Sequence, residues 1–282
     1  MRAEVLAICI NYWNEEDTIH YVNDLLLQQE EVKLAIIVVD NNEFSGENPL
    51  LKEIESASDN VEVYRSGRNA GYYGAASWAL KKYLMISRMP EWIIVSNSDI
   101  RFEKPFFLST LLEVHNRNAP EVVAPRIISD LSGLDQNPFM RKRPPVWKMH
   151  SYRLIFRFST TFYSYRLLRN AKSKMLMKRK ANQSVDCNEG TPFPIYAPHG
   201  SIIAFNKKYF EKGGTLDYGA FLFDEEIFIA ETARRLDLTI MYEPRMIALH
   251  KEHATTKMTK DMLRFKYESS KHCAVSYFAW GN

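Results

Sequence analysis

Asn97-Ser98-Asp99 closes the apolar run Trp92-Ile93-Ile94-Val95, which sets a carboxamide and a carboxylate two residues apart where a buried strand runs out into solvent. An oxygen-rich turn just beyond the carboxyl end of a strand can hold a hard divalent cation such as Mg²⁺ or Mn²⁺, and open α/β sheets gather their ligands at that edge. The same residue types also form ordinary turns that bond their own backbone. A second group, Asp224-Glu225-Glu226, follows Phe221-Leu222-Phe223 and precedes Ile227 and Ile229. Acids at a helix start can be simple caps. Burial among such apolar neighbours instead raises carboxylate basicity and suits a general base. His250 ends Met246-Ile247-Ala248-Leu249, where an imidazole can coordinate a metal or meet a phosphate; His253 is an equal candidate. His250-Lys251-Glu252-His253 is not the HExxH pattern of a zinc site.

Gly67-Arg68-Asn69-Ala70-Gly71-Tyr72-Tyr73-Gly74 precedes a helical stretch, and glycines there let backbone amides approach phosphate. Gly71 could equally serve a tight turn. The loop is neither GxGxxG nor a P-loop, which argues against nucleotide hydrolysis.

These groups need elements to position them. Val5 to Ile10, Leu34 to Val39, Val61 to Tyr64 and Trp92 to Val95 read as strands, separated by a helix over 15–29 that Asn14 could cap and a second helix opening at Gly71. Each strand ends in polar residues: Asn11, Asp40-Asn41-Asn42, Arg65 to Asn69, and Asn97 to Asp99. Four such ends on one edge of a parallel sheet make a nucleotide-sized crevice. Further on, the patterning predicts a helix over 106–114, a strand over 122–124, and strands over 201–205 and 239–242. Helices over 225–236 and 261–279 complete the pass. The fold class is α/β, and 282 residues fit one domain with additions. The aromatic stretch from Val275 to Trp280 either packs on the sheet or pairs subunits.

The net charge of +3 conceals an asymmetry: residues 136–185 hold 13 Lys or Arg and no acid, leaving 24 basic against 34 acidic residues elsewhere. An acidic body carries one basic segment, rich in aromatics. Cys9, Cys187 and Cys273 lack CxxC spacing and read as reduced thiols of a cytosolic protein, and the chain is expected to have neither a secretory leader nor a membrane span.

Ile8-Cys9-Ile10-Asn11-Tyr12-Trp13-Asn14, Val38-Val39-Asp40-Asn41-Asn42, Arg68 to Gly74, Asn97-Ser98-Asp99, Phe221 to Glu226 and His250 occur in an order and spacing that resembles family 2 glycosyltransferases of the GT-A fold. The likeness extends to the bacterial branch of rhamnosyltransferase-like enzymes that build surface polysaccharides such as O-antigen or capsule. It covers most of residues 4–125 and 195–255. The resemblance implies a Rossmann-like, mostly parallel sheet flanked by helices. A nucleotide-sugar half (1–135), a basic amphipathic insertion (136–185) and an acceptor half with a terminal helix (186–282) would make up one domain.

It further implies that Asn11, Asp40 and Asn42 line the nucleobase and ribose pocket, with Asn69 and Gly71 near the nucleotide. Asn97 and Asp99 stand at the family's DXD site, so Asp99 and His250 would hold Mg²⁺ or Mn²⁺; Asn97 departs from the family by replacing the first acid. Glu226 matches the catalytic base, with Glu225 a second candidate. Tyr196 to Ser201, including His199 and Gly200, would floor the donor and acceptor site. The activity implied is inverting transfer from a UDP- or dTDP-type sugar to a hydroxyl of a lipid-linked glycan. Arg153, Arg157, Arg166 and Arg169 interleaved with Leu154, Phe158, Phe162 and Tyr163 suit an interfacial helix, so residues 139–180 are expected on an anionic membrane surface, at the inner face of the cell membrane. Arginine and aromatics also suit RNA, but nucleic acid is not the expected partner. Two other classes compete with this reading. A sugar nucleotidyltransferase would want a glycine and a lysine after the first strand, which Asn11 to Asp17 lacks; a non-catalytic glycan- or membrane-binding module is disfavoured by the acids at 224–226 and by Asp99.

Overall fold

The computed structural model describes residues 4–29, 32–43, 48–102, 106–116, 119–180, 190–252 and 260–280, with backbone alone over 170–180 and at 260. The apolar, β-branched runs form a nine-stranded sheet. Its first half is parallel: β1 (Glu4–Asn11) lies between β2 (Lys33–Asp40) and β4 (Trp92–Asn97), and β3 (Val61–Arg65) extends it beyond β2. Next to β4 comes β8 (Ile202–Asn206), which runs the other way. It joins β4 to β6 (Val122–Ser129), and β6 pairs in parallel with β9 (Ile240–His250). Two short antiparallel strands, β5 (Ile100–Arg101) and β7 (Phe193–Pro194), finish the sheet against β9.

Side chains alternate across β1, so successive residues enter different cores. Val5, Ala7 and Cys9 meet α1 (Glu15–Leu26), α2 (Pro49–Ser56) and α4 (Phe107–Asn116). Leu6, Ile8 and Ile10 meet α3 (Tyr72–Leu84) and α8 (Glu225–Arg235) on the opposite face. Burying each of the Val, Leu and Ile side chains contributes about 1.5–3 kcal/mol, which fixes the strand register that the site depends on.

Sequence and structure differ at three places. The strand expected over 239–242 continues through Met246-Ile247-Ala248-Leu249 to His250, because Pro244-Arg245-Met246 form a bulge opposite the Pro125/Arg126 step and interrupt the apolar pattern without ending the ladder. Asn14 does not cap α1 with its side chain; its amide donates to Ser98 Oγ at 3.3 Å and its carbonyl accepts from Thr18. Helix α1 stops at Leu26 rather than at 29.

The basic segment forms α5 (Val146–Ile155) and α6 (Ser159–Lys180), which rest on the terminal helix α9 (Lys260–Trp280). Half of its aromatics turn inward: Tyr152, Phe156, Phe162 and Tyr165 stack on one another and on Tyr267 and Ala274 of α9. Trp147, Leu154, Phe158, Leu167 and Leu168 remain exposed. Arg143 anchors the segment to the body, donating at 2.8 and 2.9 Å to the fully buried Glu231 of α8, which also accepts from Tyr196 Oη. The C-terminal aromatics pack on the body, with Trp280 against Tyr218 and Phe228. Cys9 and Cys273 are buried free thiols, and Cys187 lies outside the described residues. Among the described residues no helix is long and apolar enough to cross a membrane.

Candidate functional site

Because β1 to β4 are parallel, Asn11, Asp40, Arg65 and Asn97 end at one edge of the sheet. Their side chains build the edge by binding one another. Asn11 is fully buried; its Oδ1 accepts from the Asn14 N–H and the Thr18 hydroxyl, and its Nδ2 donates to Glu15 Oε1 at 3.3 Å. That same carboxylate oxygen accepts from Asn42 and Asn48, so Glu15 gathers three amides from three segments. Asn42 Oδ1 takes the Trp13 N–H at 2.9 Å and holds Trp13 in a positive-φ conformation with its indole half-exposed. Asp40 accepts from the Asn42 N–H; burial raises its pKa, and that hydrogen bond opposes the rise. Asn41 ties β2 to the glycine loop, donating to Asn69 Oδ1 and Gly71 O and accepting from the Ala70 N–H.

Gly71 has a reason that the sequence did not disclose. At φ 74° its missing Cβ would lie 1.9 Å from the carbonyl oxygen of Phe221, whose chain crosses directly over it, and the next residue, Tyr72, donates to that oxygen. The glycine admits the loop that leads into the acid group.

Asp99 and His250 meet because Ile100 pairs with His250 across β5 and β9. Asp99 Oδ1 is buried with no hydrogen-bond partner and lies 3.5 Å from His250 Nε2. The imidazole's other nitrogen, Nδ1, is 2.8 Å from Gln136 Oε1, and Gln136 is oriented by its own amide donating to Glu252. In the neutral tautomer that donates from Nδ1 to Gln136, Nε2 presents a lone pair toward an unpartnered carboxylate oxygen. Two acceptors facing each other across that gap are a donor set that a divalent cation fits, with a hard oxygen and a borderline nitrogen. Among the described residues no third His, Cys, Asp or Glu joins them, so the remaining ligands must come from elsewhere. His253 lies outside the described residues.

The three acids part company. Asp224, left-handed like Phe223 before it, accepts from Lys266 Nζ at 2.9 Å and Ser270 Oγ at 2.7 Å, so it latches α9 rather than capping α8. Glu225 is buried with Oε2 unpartnered; burial first, and then the charge of Glu226, push its pKa well up. Glu226 is raised by burial too, but Lys266 and the Gly200 N–H oppose the rise. A Cβ on Gly200 would sit 3.2 Å from Glu226 Oε1 and 3.5 Å from Glu225 Oε1.

His199-Gly200-Ser201 joins the two groups. β8 runs antiparallel to β4 with Ile202 opposite Ser96, so the residues that begin β8 lie beside those that end β4. Asn97 donates its N–H to Ser201 O at 2.9 Å, Gly200 reaches Glu226, and the His199 ring stands 5.8 Å from that of His250. Burial, and then His250, lower the His199 pKa to about 4, so it is neutral at neutral pH. The structure thus brings together Asn97, Asp99, His199, Gly200, Glu225, Glu226 and His250 around one turn. Asn11, Asp40, Asn42, Asn69 and Gly71 form the adjoining part of the same edge. Glu15, Asn41, Gln136 and Lys266 escaped sequence reasoning; only Asn41, inside the Asp40-Asn41-Asn42 cluster, carried a local signal.

A family model described as Glycosyl transferase family 2 matches residues 7–185. No curated protein matches the chain. Among solved structures, GalNAc-T7 with UDP, GalNAc and Mn²⁺ is similar at a TM-score of 0.54 and 14% identity, over 89% of this chain and 44% of that one, so this chain spans less than half that protein's length. The mannosyltransferase PcManGT from Pyrobaculum calidifontis, in complex with GDP-Man and Mn²⁺, is similar at 0.54 and 15% identity, over 99% and 75%. These likenesses show the fold, the GT-A arrangement of a mostly parallel sheet between helices.

Proposed function

The chain belongs to glycosyl transferase family 2, and from that premise we propose that it transfers a sugar, with inversion, from a UDP- or dTDP-type nucleotide sugar to a hydroxyl of a lipid-linked glycan in bacterial surface-polysaccharide synthesis. One observation carries the reading: His199-Gly200-Ser201 sets the acid Glu226 on one side and the Asp99–His250 pair on the other. Base and diphosphate site are then neighbours, which single displacement requires. Glu226 removes the acceptor proton as that oxygen bonds to the anomeric carbon, and the bond from that carbon to the diphosphate oxygen breaks. Asp99 and His250 would hold Mg²⁺ or Mn²⁺, which when bound neutralises charge on the diphosphate. The Asn11, Asp40, Asn42 and Asn69 network shapes the nucleoside end of the crevice, and the Trp13 indole offers a face for the base. The exposed basic and apolar residues described over 139–169 support placing the segment 139–180 on an anionic membrane surface, where a lipid-linked acceptor would be met.

A panel of nucleotide sugars with Mn²⁺ or Mg²⁺ tests the assignment. Release of nucleoside diphosphate is the expected result; release of pyrophosphate instead would identify a nucleotidyltransferase. With two protein ligands among the described residues, cation binding to the ligand-free protein should be weak, and it should tighten when nucleoside diphosphate supplies phosphate oxygens. Calorimetric titration with Mn²⁺, alone and with UDP, checks this; equal affinity in both would mean that the protein completes the site by itself.

Lys266→Met gives a separate expectation. Glu226 faces Asp224, Glu225, Lys266 and the Gly200 N–H, and Lys266 is the cation that holds its pKa down. Removing it raises that pKa further, so the acid limb of the kcat/KM profile moves to higher pH, and an unmoved limb would exclude Glu226 as the titrating base.

A further inference from the structure

Helices α5 and α9 leave a cleft of about 470 Å³ between them, lined by His150, Arg153, Leu154 and Arg157 on one side and by Lys271 and Val275 on the other. His150, Arg153 and Leu154 fall at the i, i+3 and i+4 positions of one face of α5, Arg157 follows in the turn that ends the helix, and Lys271 and Val275 fall at i and i+4 of α9. Met149, Cys273 and Tyr277 close the packing beneath. No acid lines the cleft, and among the described residues neither Arg153, Arg157 nor Lys271 has an ion-pair partner. His150 is stacked on Phe278 with centroids 4.4 Å apart. The flank is greasy and open: Leu154 is 71% and Val275 49% exposed, beside the equally open Trp147 and Phe158.

Unneutralised cations around a hollow, with aliphatic side chains standing free at its rim, match an anionic amphiphile. We infer that this cleft seats the phosphate headgroup of an anionic phospholipid, with Arg153, Arg157, Lys271 and His150 around the phosphate and Leu154 and Val275 against the upper acyl chain. A free phosphate would leave the aliphatic rim unused. Single-stranded RNA would want aromatic faces within the cleft, whose lining offers only the His150 ring, and that ring is stacked on Phe278. The inference rests on the membrane part of the proposed function and makes it specific. It also has a reach into the site, because Lys271 follows Ser270, whose hydroxyl holds Asp224. One helix carries the headgroup seat and the latch of the acid loop.

Vesicle co-sedimentation separates the inference from the reading beneath it. Wild-type protein is expected to bind phosphatidylglycerol–phosphatidylcholine vesicles and not pure phosphatidylcholine. Each cation near an anionic leaflet contributes roughly fivefold in partitioning, so Arg153→Gln/Lys271→Gln should weaken binding by roughly 30-fold. The swap Arg153→Lys/Lys271→Arg should keep it, as should neutralising Lys33 and Lys212, which lie outside the cleft. All these side chains are solvent-facing, and an unchanged melting temperature and unchanged UDP binding confirm that the variants are folded. If wild type binds anionic vesicles and the cleft variant binds them equally well, the headgroup seat is refuted while the membrane reading stands. If wild type does not distinguish anionic from neutral vesicles, the membrane reading itself is overturned.

Discussion

Glu226→Gln lowers kcat by about 10²–10⁴-fold, the usual contribution of a positioned general base, while nucleoside diphosphate binds as before. The substitution is nearly isosteric and keeps an acceptor for the Gly200 N–H, so it removes proton affinity and little else. Glu225→Gln is the contrast. Burial and the neighbouring charge hold Glu225 in its protonated form to well above the usual carboxylate range, and an amide imitates that form. Its turnover should fall by less than about tenfold, since no ionised base is lost. Comparable losses in both variants would mean that the pair shares the proton. The sign of the stability effect is also fixed. Both carboxyls have folded pKa values above their unfolded ones, so stability is fullest at low pH and declines as pH rises from the unfolded toward the folded value. At neutral pH Glu226→Gln should therefore melt higher than wild type, a gain in stability that accompanies the loss of activity.

Gly71→Ala is expected to destabilise the protein by about 3 kcal/mol, from a left-handed φ that alanine disfavours and a Cβ driven into backbone. The atom that it meets, Phe221 O, cannot swing aside as a side chain would, because Tyr72 binds it and the chain runs on into Phe223 and Asp224. Gly67→Ala isolates the first component: its φ is 67° and nothing lies within 4 Å, so about 1 kcal/mol is expected. Denaturant midpoints at constant m-value measure both. Equal losses at the two positions would show that the contact with Phe221 contributes nothing.

The parallel half of the sheet could be read because its strands are buried on both faces and end abruptly in Asn and Asp; that alternation of apolar run and polar stop is a local property. Asp99, Glu226 and His250 were legible for the same reason, each standing at the end of an apolar run. What escaped depends on distant chain. Pro244 and Arg245 hide the continuity of β9, since the partner that keeps the ladder going, β6, is more than a hundred residues away. Glu15 reads as one acid among several at a helix start, and only the fold brings Asn11, Asn42 and Asn48 to it. Lys266 sits on a helix whose docking no pattern near Asp224 announces. The basic segment was half legible. Its charge was plain, but its aromatic content had two destinations, and packing against Tyr267 and Ala274 claimed the inner half.

The reversed direction of β8 has a bearing on how such a molecule can change. β6 ends and β8 begins at the same edge of the sheet, and the described chain between them holds α5, α6 and the short strand β7 that pairs with β9. Its two ends are clasped where Met140 and Ala197 exchange backbone hydrogen bonds at 3.1 and 3.0 Å. Between those ends α5 and α6 pair with no strand, so their length and composition can vary while strand order and register stay as they are. This stretch returns at His199-Gly200-Ser201, so such variation lands next to Glu226 and Asp99. The fold thereby keeps the residues whose places the strands fix apart from the helices that are free to vary.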